Sequence, residues 1–303
     1  MIINSPALLF AALIAEAVLG YPKRLMHPVV PVGNLIGYLD DRWNKGNHRR
    51  WTGMGTALIL VMLGGGIGYV MEHIAAGWIG TIALILIATT GLAQRSLHDH
   101  VAAVARPFLV GDMDAARHAV SMIVGRDTAA LDASGVAAAA IETLAESFCD
   151  GVVAPAFWFL LLGLPGLFVF KCISTADSMI GHIDDRHRDF GWASARADDV
   201  MNWIPARIAG ALICLSGPGG WRVMRRDAGK HLSPNSGWPE SAMAGALGVQ
   251  LGGGAAYDGE WIARAALGEG ARPAAPDLIR ALTIYRRACL GLWSVTGVLI
   301  WLR

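Results

Sequence analysis

Between Val152 and Phe170 the chain reads VVAPAFWFLLLGLPGLFVF, a run without one ionisable side chain. A helix needs roughly 20 consecutive apolar residues to cross a bilayer, so only lipid or other protein can solvate this run. Its second half carries Gly163-Leu164-Pro165-Gly166, and glycine and proline so close together favour a break. Two paths follow. If the run crosses fully, the acidic segments IETLAESFCDG before it and STADSMIGHIDD after it fall on opposite faces of the membrane. If it turns back at GLPG as a re-entrant hairpin, they meet. The hairpin is the preferred reading, and it requires surrounding helices, because irregular backbone at membrane depth must be covered by protein.

The rest of the chain supplies such helices. Of its 303 residues 54% are hydrophobic and 16% charged, and the mean hydropathy is +0.45, too apolar for an ordinary soluble domain. Spanning candidates are Ile3 to Gly20, Gly53 to Met71, Trp78 to Ala93 and Tyr285 to Leu302. Tyr21 to Thr52 holds Lys23, Arg24, Arg42, Lys45, Arg49 and Arg50, whereas Glu72 to Gly77 holds no Lys or Arg, so the first connection faces the cytoplasm. Glu16, in the first span, is expected to pair with Lys23 or Arg24. The fold class expected is therefore all-α: a polytopic integral membrane protein with about four spanning helices, a re-entrant hairpin and amphipathic cytoplasmic helices. It is read as a single membrane-embedded domain over 1–303. The chemistry-bearing segments lie mainly within 95–280, on the cytoplasmic side. No segment reads as a strand.

Charge and cysteine exclude several functions. A net charge of +1 provides no global field to recruit nucleic acid. Cys149, Cys172, Cys214 and Cys289 are scattered, which suits neither a zinc site nor a disulfide framework. Gly64, Gly65, Gly66 and Gly68 sit inside a span, where glycines serve helix packing rather than phosphate binding.

Acidic residues fall into three segments. Ile141, Leu144, Ala145 and Phe148 recur at helical spacing, with Glu142, Glu146 and Asp150 four apart on another face. In STADSMIGHIDD, Ala176, Met179, Ile180 and Ile183 form an apolar side, and Ser174, Asp177, Ser178, Gly181 and Asp184 or Asp185 a polar one. FGWASARADDVMNWIPAR adds Arg196, Asp198, Asp199, Asn202 and Arg207; overlapping its end, Asn202 to Gly217 reads as a partly embedded helix. Such stripes repel themselves unless neutralised. Solvated surface with nearby arginines is one solution, and magnesium with substrate phosphates another. The basic complement is Arg126 in Gly125 to Thr128 (GRDT), Lys171, and Lys230, His231, Ser233 and Asn235 before a Gly/Ala-rich run. His27 opens HPVVPVGN, a rigid entry into the first cytoplasmic loop.

In order, these motifs resemble the cobalamin biosynthesis membrane proteins, the adenosylcobinamide-phosphate synthases. The resemblance rests on HPV at His27, GRDT, IET and AES, Asp150-Gly151, PAFWFLLLGLPG leading to Lys171, TADSMIGH, FGWASARADDVMNWIPAR and HLSPNSGWPESAMAGALGVQLGG. The chain departs from the family pattern at Ser147 and Ser174, where asparagine is usual, at Tyr21, where aspartate is usual, and near Ala138, where an arginine is usual.

The resemblance implies a membrane ligase that joins the propionate carboxylate of adenosylcobyric acid to an amino alcohol, aminopropanol or its phosphate, using ATP and Mg2+ through an acyl phosphate. Glu142, Glu146, Asp177, Asp198 and Asp199 are the expected catalytic carboxylates; of these Glu146, Asp177, Asp198 and Asp199 are the expected metal ligands. Arg126, Lys171, Arg196, Arg207 and Lys230 are expected on phosphates or corrinoid carboxamides, together with His27, Asp127, Thr128, Ser178, Asn202, His231, Ser233 and Asn235. The bilayer is the other partner, with room for a homo-oligomer. A competing reading is a transporter of a corrinoid or related anion, since broken helices also build transport sites. Apart from Glu16, the spans lack the deep charges that a transport path would carry.

Overall fold

Gly163 decides the path of the apolar run. The computed structural model describes residues 5–22, 26–257 and 260–302. In it the helix over Ala154–Ile180 (α8) is interrupted by Gly163 at φ 66° and ψ −150°, backbone that only glycine adopts without strain. The helix is sharply kinked there: a Cβ added at Gly166 would collide with the Trp158 carbonyl oxygen and come within 2.7 Å of the Leu162 Cβ. Pro165 is harmless because it sits in the first turn after the break.

The remaining helices, in chain order, are α1 (Ser5–Leu19), α2 (Val29–Trp43), α3 (Arg49–Ile74), α4 (Gly77–Thr89), α5 (Gln94–Leu109), α6 (Met113–Ser121) and α7 (Ala133–Phe148), then α9 (Trp192–Ser216), α10 (Gly220–Asp227), α11 (Gly237–Leu247) and α12 (Ala275–Trp301). A π-helical turn over Cys149–Val153 joins α7 to α8.

The chain divides into two compact units. The first comprises Met1–Ala93, Ala154–Asn202 and Thr296–Arg303. In it α3 packs on α8, and α1 on α4 and α8. Gly64 and Gly68 make the α3–α8 contact close: a Cβ on Gly64 would lie 3.0 Å from the Phe168 backbone, and one on Gly68 2.5 Å from the Pro165 nitrogen. Small residues four apart let two helix backbones approach, as expected for this glycine run. The core below this contact is Ile36, Leu60, Cys172, Ala176, Ile180 and Phe190. At the far end of α3 the Glu72 carboxylate accepts the Leu164 N–H at 2.7 Å. It thus caps the second half of α8, where the helix dipole favours negative charge.

The second unit comprises Gln94–Val153 and Trp203–Val295. Here α7 packs against α5, α6 and α11, and α10 against α11. Val136 to Ile141 are all fully buried, because a run of alanines lets neighbours close on every side of the helix. Phe148 meets Tyr285 edge to face with centroids 5.5 Å apart. Tyr285 Oη donates to the Gln94 carbonyl at 2.8 Å and Trp293 Nε1 to the Gln94 side chain at 2.8 Å.

Several expectations need correction. Strands do occur: Gln250–Gly252 (β1) pairs antiparallel with Ala266–Gly268 (β4), and Ala255–Tyr257 (β2) with Glu260–Ile262 (β3). α11 is ended by Gly248, whose φ of 70° is left-handed, and the positive φ of Gly252, Gly253 and Gly254 then bends the chain so that it pairs with itself. By length and composition three helical stretches can cross a membrane: Gly46–Ile74, Gly77–Leu109 and Ala133–Ile180. The first expected span forms the shorter helix Ser5–Leu19, with Ile3 outside the described residues. The last expected span is the C-terminal part of α12, which carries Arg286 and Arg287 and is not among the three. Glu16 is buried at 3% exposure; its expected partners Lys23 and Arg24 lie outside the described residues. In STADSMIGHIDD the helix ends at Ile180, and Ile183 is 84% exposed rather than part of an apolar side. Asp184 is more than solvated surface: it accepts the backbone N–H groups of Arg186 and His187 at 2.8 and 2.7 Å. That turn lets Arg186 pair with Asp40 of α2.

The break at Gly163 makes a direct prediction. Gly163→Ala puts a Cβ onto the Glu72 carboxylate at a glycine-only conformation, and should lower stability by ~2–4 kcal/mol. Glu72→Ala should cost only about 1 kcal/mol, the worth of a helix cap. Thermal unfolding in detergent reads both, and a Gly163→Ala protein as stable as the parent would refute the turn.

Candidate active site

A carboxylate with 3% side-chain exposure cannot stay ionised without compensation, and Glu142 at the middle of α7 is such a group. Arg126, in the connection between α6 and α7, donates Nη2 to Glu142 Oε2. Arg264, between β3 and β4, brings Nη1 to 3.6 Å from the same oxygen. Oε1 accepts the Gly252 N–H at 2.8 Å. Arg272 then donates Nη1 to the Gly252 carbonyl at 2.6 Å, fixing β1 on both sides. Asp132 starts α7 by accepting the Gly135 N–H at 2.7 Å, which sets where along the helix Glu142 falls.

One turn further, Glu146 is exposed and accepts a hydrogen bond from Ser236 Oγ at 2.8 Å. Ser236 begins α11, whose first residues are organised by Ser233: its Oγ accepts the N–H groups of Asn235 and Ser236, both at 3.2 Å. The Ser233 N–H in turn donates to His231 Nδ1 at 3.0 Å, and His231 Nε2 faces the Arg264 Nη2 at 2.9 Å. Burial and the Arg264 charge lower the His231 pKa, so the ring is neutral at neutral pH.

Glu240 completes the cluster. It is 1% exposed, lies 3.6 Å from His231 Nε2, and neither carboxyl oxygen has a hydrogen-bond partner among the described residues. Burial, then the Glu146 and Glu142 carboxylates, raise its pKa well above the ordinary carboxylate range, which favours the protonated form. Within one unit the site thus holds an ion-paired buried carboxylate, an exposed carboxylate, a carboxyl group that favours its proton, a neutral imidazole and two guanidinium groups.

Six expected residues are brought together here: Arg126, Glu142, Glu146, His231, Ser233 and Asn235. Asp127 is exposed and Thr128 half-buried beside Arg126. Lys230 is committed elsewhere in the unit: with Arg226 and the Gly268 N–H it holds the buried Asp227, at 2.6 Å from Oδ1. That arrangement keeps the Asp227 carboxyl far below the usual carboxylate range, the Arg226 hydrogen bond contributing most. Arg207 is stacked between the indoles of Trp203 and Trp238, at 4.1 and 4.4 Å.

The other expected residues belong to the first unit. Asn202 donates to Asp198 at 2.9 Å and Arg196 to Asp199 at 3.3 Å. Asp177 is half-buried on the last turns of α8, and Ser178 donates back to the Ser174 carbonyl at 2.9 Å. His27 and Lys171 line one cavity between α2, α3, α4 and α8. Among the described residues no three His, Cys, Asp or Glu side chains converge closely enough to hold a metal ion by themselves.

The model of the CobD/CbiB proteins matches residues 9–285. The chain belongs to the CobD/CbiB family. Among family relatives, a protein named cobalamin biosynthesis protein CobD from Rhodobacter capsulatus is 47% identical, with 97% of each chain covered. Proteins of the same name from Brucella anthropi and Sinorhizobium fredii are 49% and 43% identical, covering 84% and 96% of this chain and 83% and 96% of their own. No solved structure matches.

Sequence reasoning missed Glu240, Arg264, Arg272 and Asp227. Glu240 stands in the motif Pro239-Glu240-Ser241, whose acid is isolated in a Gly/Ala-rich helix and so gave no stripe. Arg264 lies beside short strands that had no alternating pattern. Lys230 three residues after Asp227 was a legible helical pair and would have removed that lysine from the phosphate set.

Glu240→Gln checks the raised pKa. The amide matches a protonated carboxyl in shape, so the variant should unfold within about 1 kcal/mol of the parent, while Glu240→Ala should lose ~2–4 kcal/mol. A carboxyl whose pKa is raised on folding binds its proton more tightly in the native state, so its contribution declines as pH rises above the unfolded value of about 4.3. The parent should therefore lose stability relative to Glu240→Gln between about pH 4.3 and 7. Equal pH slopes for the two proteins would show that the Glu240 pKa is not raised on folding.

Proposed function

We propose that the chain is an ATP- and magnesium-dependent amide ligase of cobalamin biosynthesis, acting in a bacterial inner membrane with its active site on the cytoplasmic face. It joins the propionate carboxylate of adenosylcobyric acid to an amino alcohol, aminopropanol or its phosphate. Family membership supports the pathway, and the observation that carries the chemistry is the pair Arg126 and Arg264 gathered on Glu142 beside the exposed Glu146. Guanidinium forks suit carboxylate and phosphate oxygens, and the buried Glu142 holds both in place.

Activation of the carboxylate moves a phosphoryl group. A propionate oxygen attacks the γ-phosphorus of ATP, the bond to the bridging oxygen breaks, and ADP leaves with an acyl phosphate formed. Such a transfer asks for positioning and for neutralisation of spreading charge, which Arg126 and Arg264 supply. The amine nitrogen then attacks the acyl carbon, the carbon–oxygen bond to phosphate breaks, and inorganic phosphate departs. The proton lost by nitrogen goes to Glu146, an exposed carboxylate with a hydrogen-bonded Ser236 to orient it.

Magnesium asks for one or two protein carboxylates and takes its other oxygens from phosphate and water. Within the second unit the exposed Glu146 fits that demand. Bound there, the ion would neutralise phosphate charge. Glu142 and Glu240 are excluded as ligands by their environment, the first engaged by arginines and the second favouring its protonated form.

Purified protein in detergent, given adenosylcobyric acid, ATP, magnesium and either acceptor, should form the amide and ADP in equal amounts by mass spectrometry. Glu146→Gln should lower kcat by ~10²-fold or more with its fold intact. Corrinoid uptake into vesicles without ATP cleavage or amide formation would instead establish a transporter.

The turn at Gly163 is proposed to lie inside the bilayer as a re-entrant hairpin. Leu161 and Leu162 beside it are each 58% exposed, as side chains facing lipid would be. A nitroxide on Leu161→Cys should be relaxed strongly by oxygen and weakly by a water-soluble nickel chelate. The reverse order would place the turn in water.

A further inference from the structure

In the second unit an apolar band stops abruptly at a line of arginines. The residues from Ile208 to Leu215 in α9 and from Ala288 to Val295 in α12 include no charged side chain. The two stretches lie side by side and antiparallel: a Cβ added at Gly217 would come within 3.2 Å of Ile284 Cδ1, and one at Gly291 within 3.2 Å of Leu212 Cδ2. They end at one level, because Arg287 Nη1, where the α12 stretch begins, reaches the Ser216 carbonyl, where the α9 stretch ends, at 3.5 Å. Leu215 and Leu290, on the apolar side of this level, are 75% and 56% exposed. α10 continues the boundary: Val223 and Met224 are buried, while Trp221, Arg222 and Arg225 are exposed, with Arg225 lying 5.9 Å from the centre of the Trp221 ring. Arg222 is matched by Glu269 at 3.1 Å. From Asn202 to Arg226 and from Leu278 to Arg303 the chain has no Asp or Glu, and among the described residues no carboxylate pairs with the exposed Arg225, Arg286 and Arg287.

This edge selects its partner. An acidic protein surface would match the guanidinium groups but leave the leucines beside them in water. A bilayer offers both chemistries in the same order, hydrocarbon against Leu215 and Leu290 and phosphate against the arginines. A tryptophan at the boundary, with basic side chains just beyond the apolar stretch, is the arrangement that settles at a membrane–water interface. Basic residues held there favour anionic headgroups over zwitterionic ones.

We propose that the edge formed by Leu215, Trp221, Arg225, Arg286 and Arg287 lies at the bilayer surface and gathers anionic phospholipid, with headgroup phosphates against the three arginines. The proposal rests on the chain being embedded in a membrane and is independent of the ligase chemistry.

Cys149, Cys172, Cys214 and Cys289 are all buried, so a bimane on Leu215→Cys labels this edge selectively. The full chain is placed in nanodiscs of equal phosphatidylglycerol and phosphatidylcholine with identical acyl chains, and a nitroxide near the top of the chain is carried by one lipid or the other in turn. Quenching by phosphatidylglycerol should exceed that by phosphatidylcholine about fivefold, the scale of one basic residue at an anionic surface. Arg225→Gln, Arg286→Gln and Arg287→Gln together should bring the ratio to about one, while Arg95→Gln, in α5, should leave it unchanged. Equal quenching by the two lipids in the parent would overturn the proposal, as would an unchanged ratio in the triple variant. Absence of quenching by either lipid would overturn it too. A second bimane, on Leu162→Cys, then distinguishes a chain outside the bilayer, where it is also unquenched, from an embedded chain whose arginine edge stands in water.

Discussion

Everything in the candidate active site hangs on the compensation of one buried charge. Glu142 sits on a helix whose preceding turn is fully buried alanine and isoleucine, so its carboxylate has no water to fall back on. Removing one partner of a buried ion pair is far more costly than the pair is worth, and Arg126, Arg264 and the Gly252 N–H must therefore arrive together. Those three come from a loop before α7 and from the strand segment after α11. The need to neutralise Glu142 is thus also what closes these otherwise irregular stretches onto the helix. Arg272 on the Gly252 carbonyl completes the same closure from the other side.

Around that fixed point the remaining acids are sorted by environment. Glu146 is one turn away, exposed, and accepts a hydrogen bond from Ser236. Glu240 is buried close to Glu146 and Glu142, which favours its protonated form. An environment that raises the pKa of one carboxyl group is one way a site keeps a proton on an acid near other carboxyl groups. His231, kept neutral by burial and Arg264, adds no charge, so the balance between the two guanidinium groups and the ionised carboxylates is unchanged.

Much of this could be read from the chain, for reasons that differ residue by residue. The apolar stripe of Ile141, Leu144, Ala145 and Phe148 is fully buried as its spacing demands. Helical spacing also placed Asn202 on Asp198. The break at Gly163 followed from glycine and proline chemistry alone. What the stripe could not reveal is which acid faces water: Glu142 and Glu146 look alike in sequence, and the arginines that distinguish them are remote in the chain or local in a loop without pattern. Glu240 was hidden for the same reason, since a lone acid in a Gly/Ala-rich helix declares nothing until the fold surrounds it. The strands were missed because three-residue pairings bounded by positive-φ glycines carry no alternation to detect.

The cap at Glu72 has a wider consequence for the membrane unit. Gly64, Gly68 and Glu72 are evenly spaced along one stripe of α3 and meet Phe168, Pro165 and Leu164 in reverse order along α8. Together they form a ruler that measures where the apolar run must fold. Deleting a single residue between Gly68 and Glu72 would swing the carboxylate by about 100° around the helix, off its mark, while leaving hydropathy and composition almost unchanged. Chain length within α3 is thus constrained more tightly than residue identity on its lipid face, and insertions there would be tolerated far less readily than substitutions.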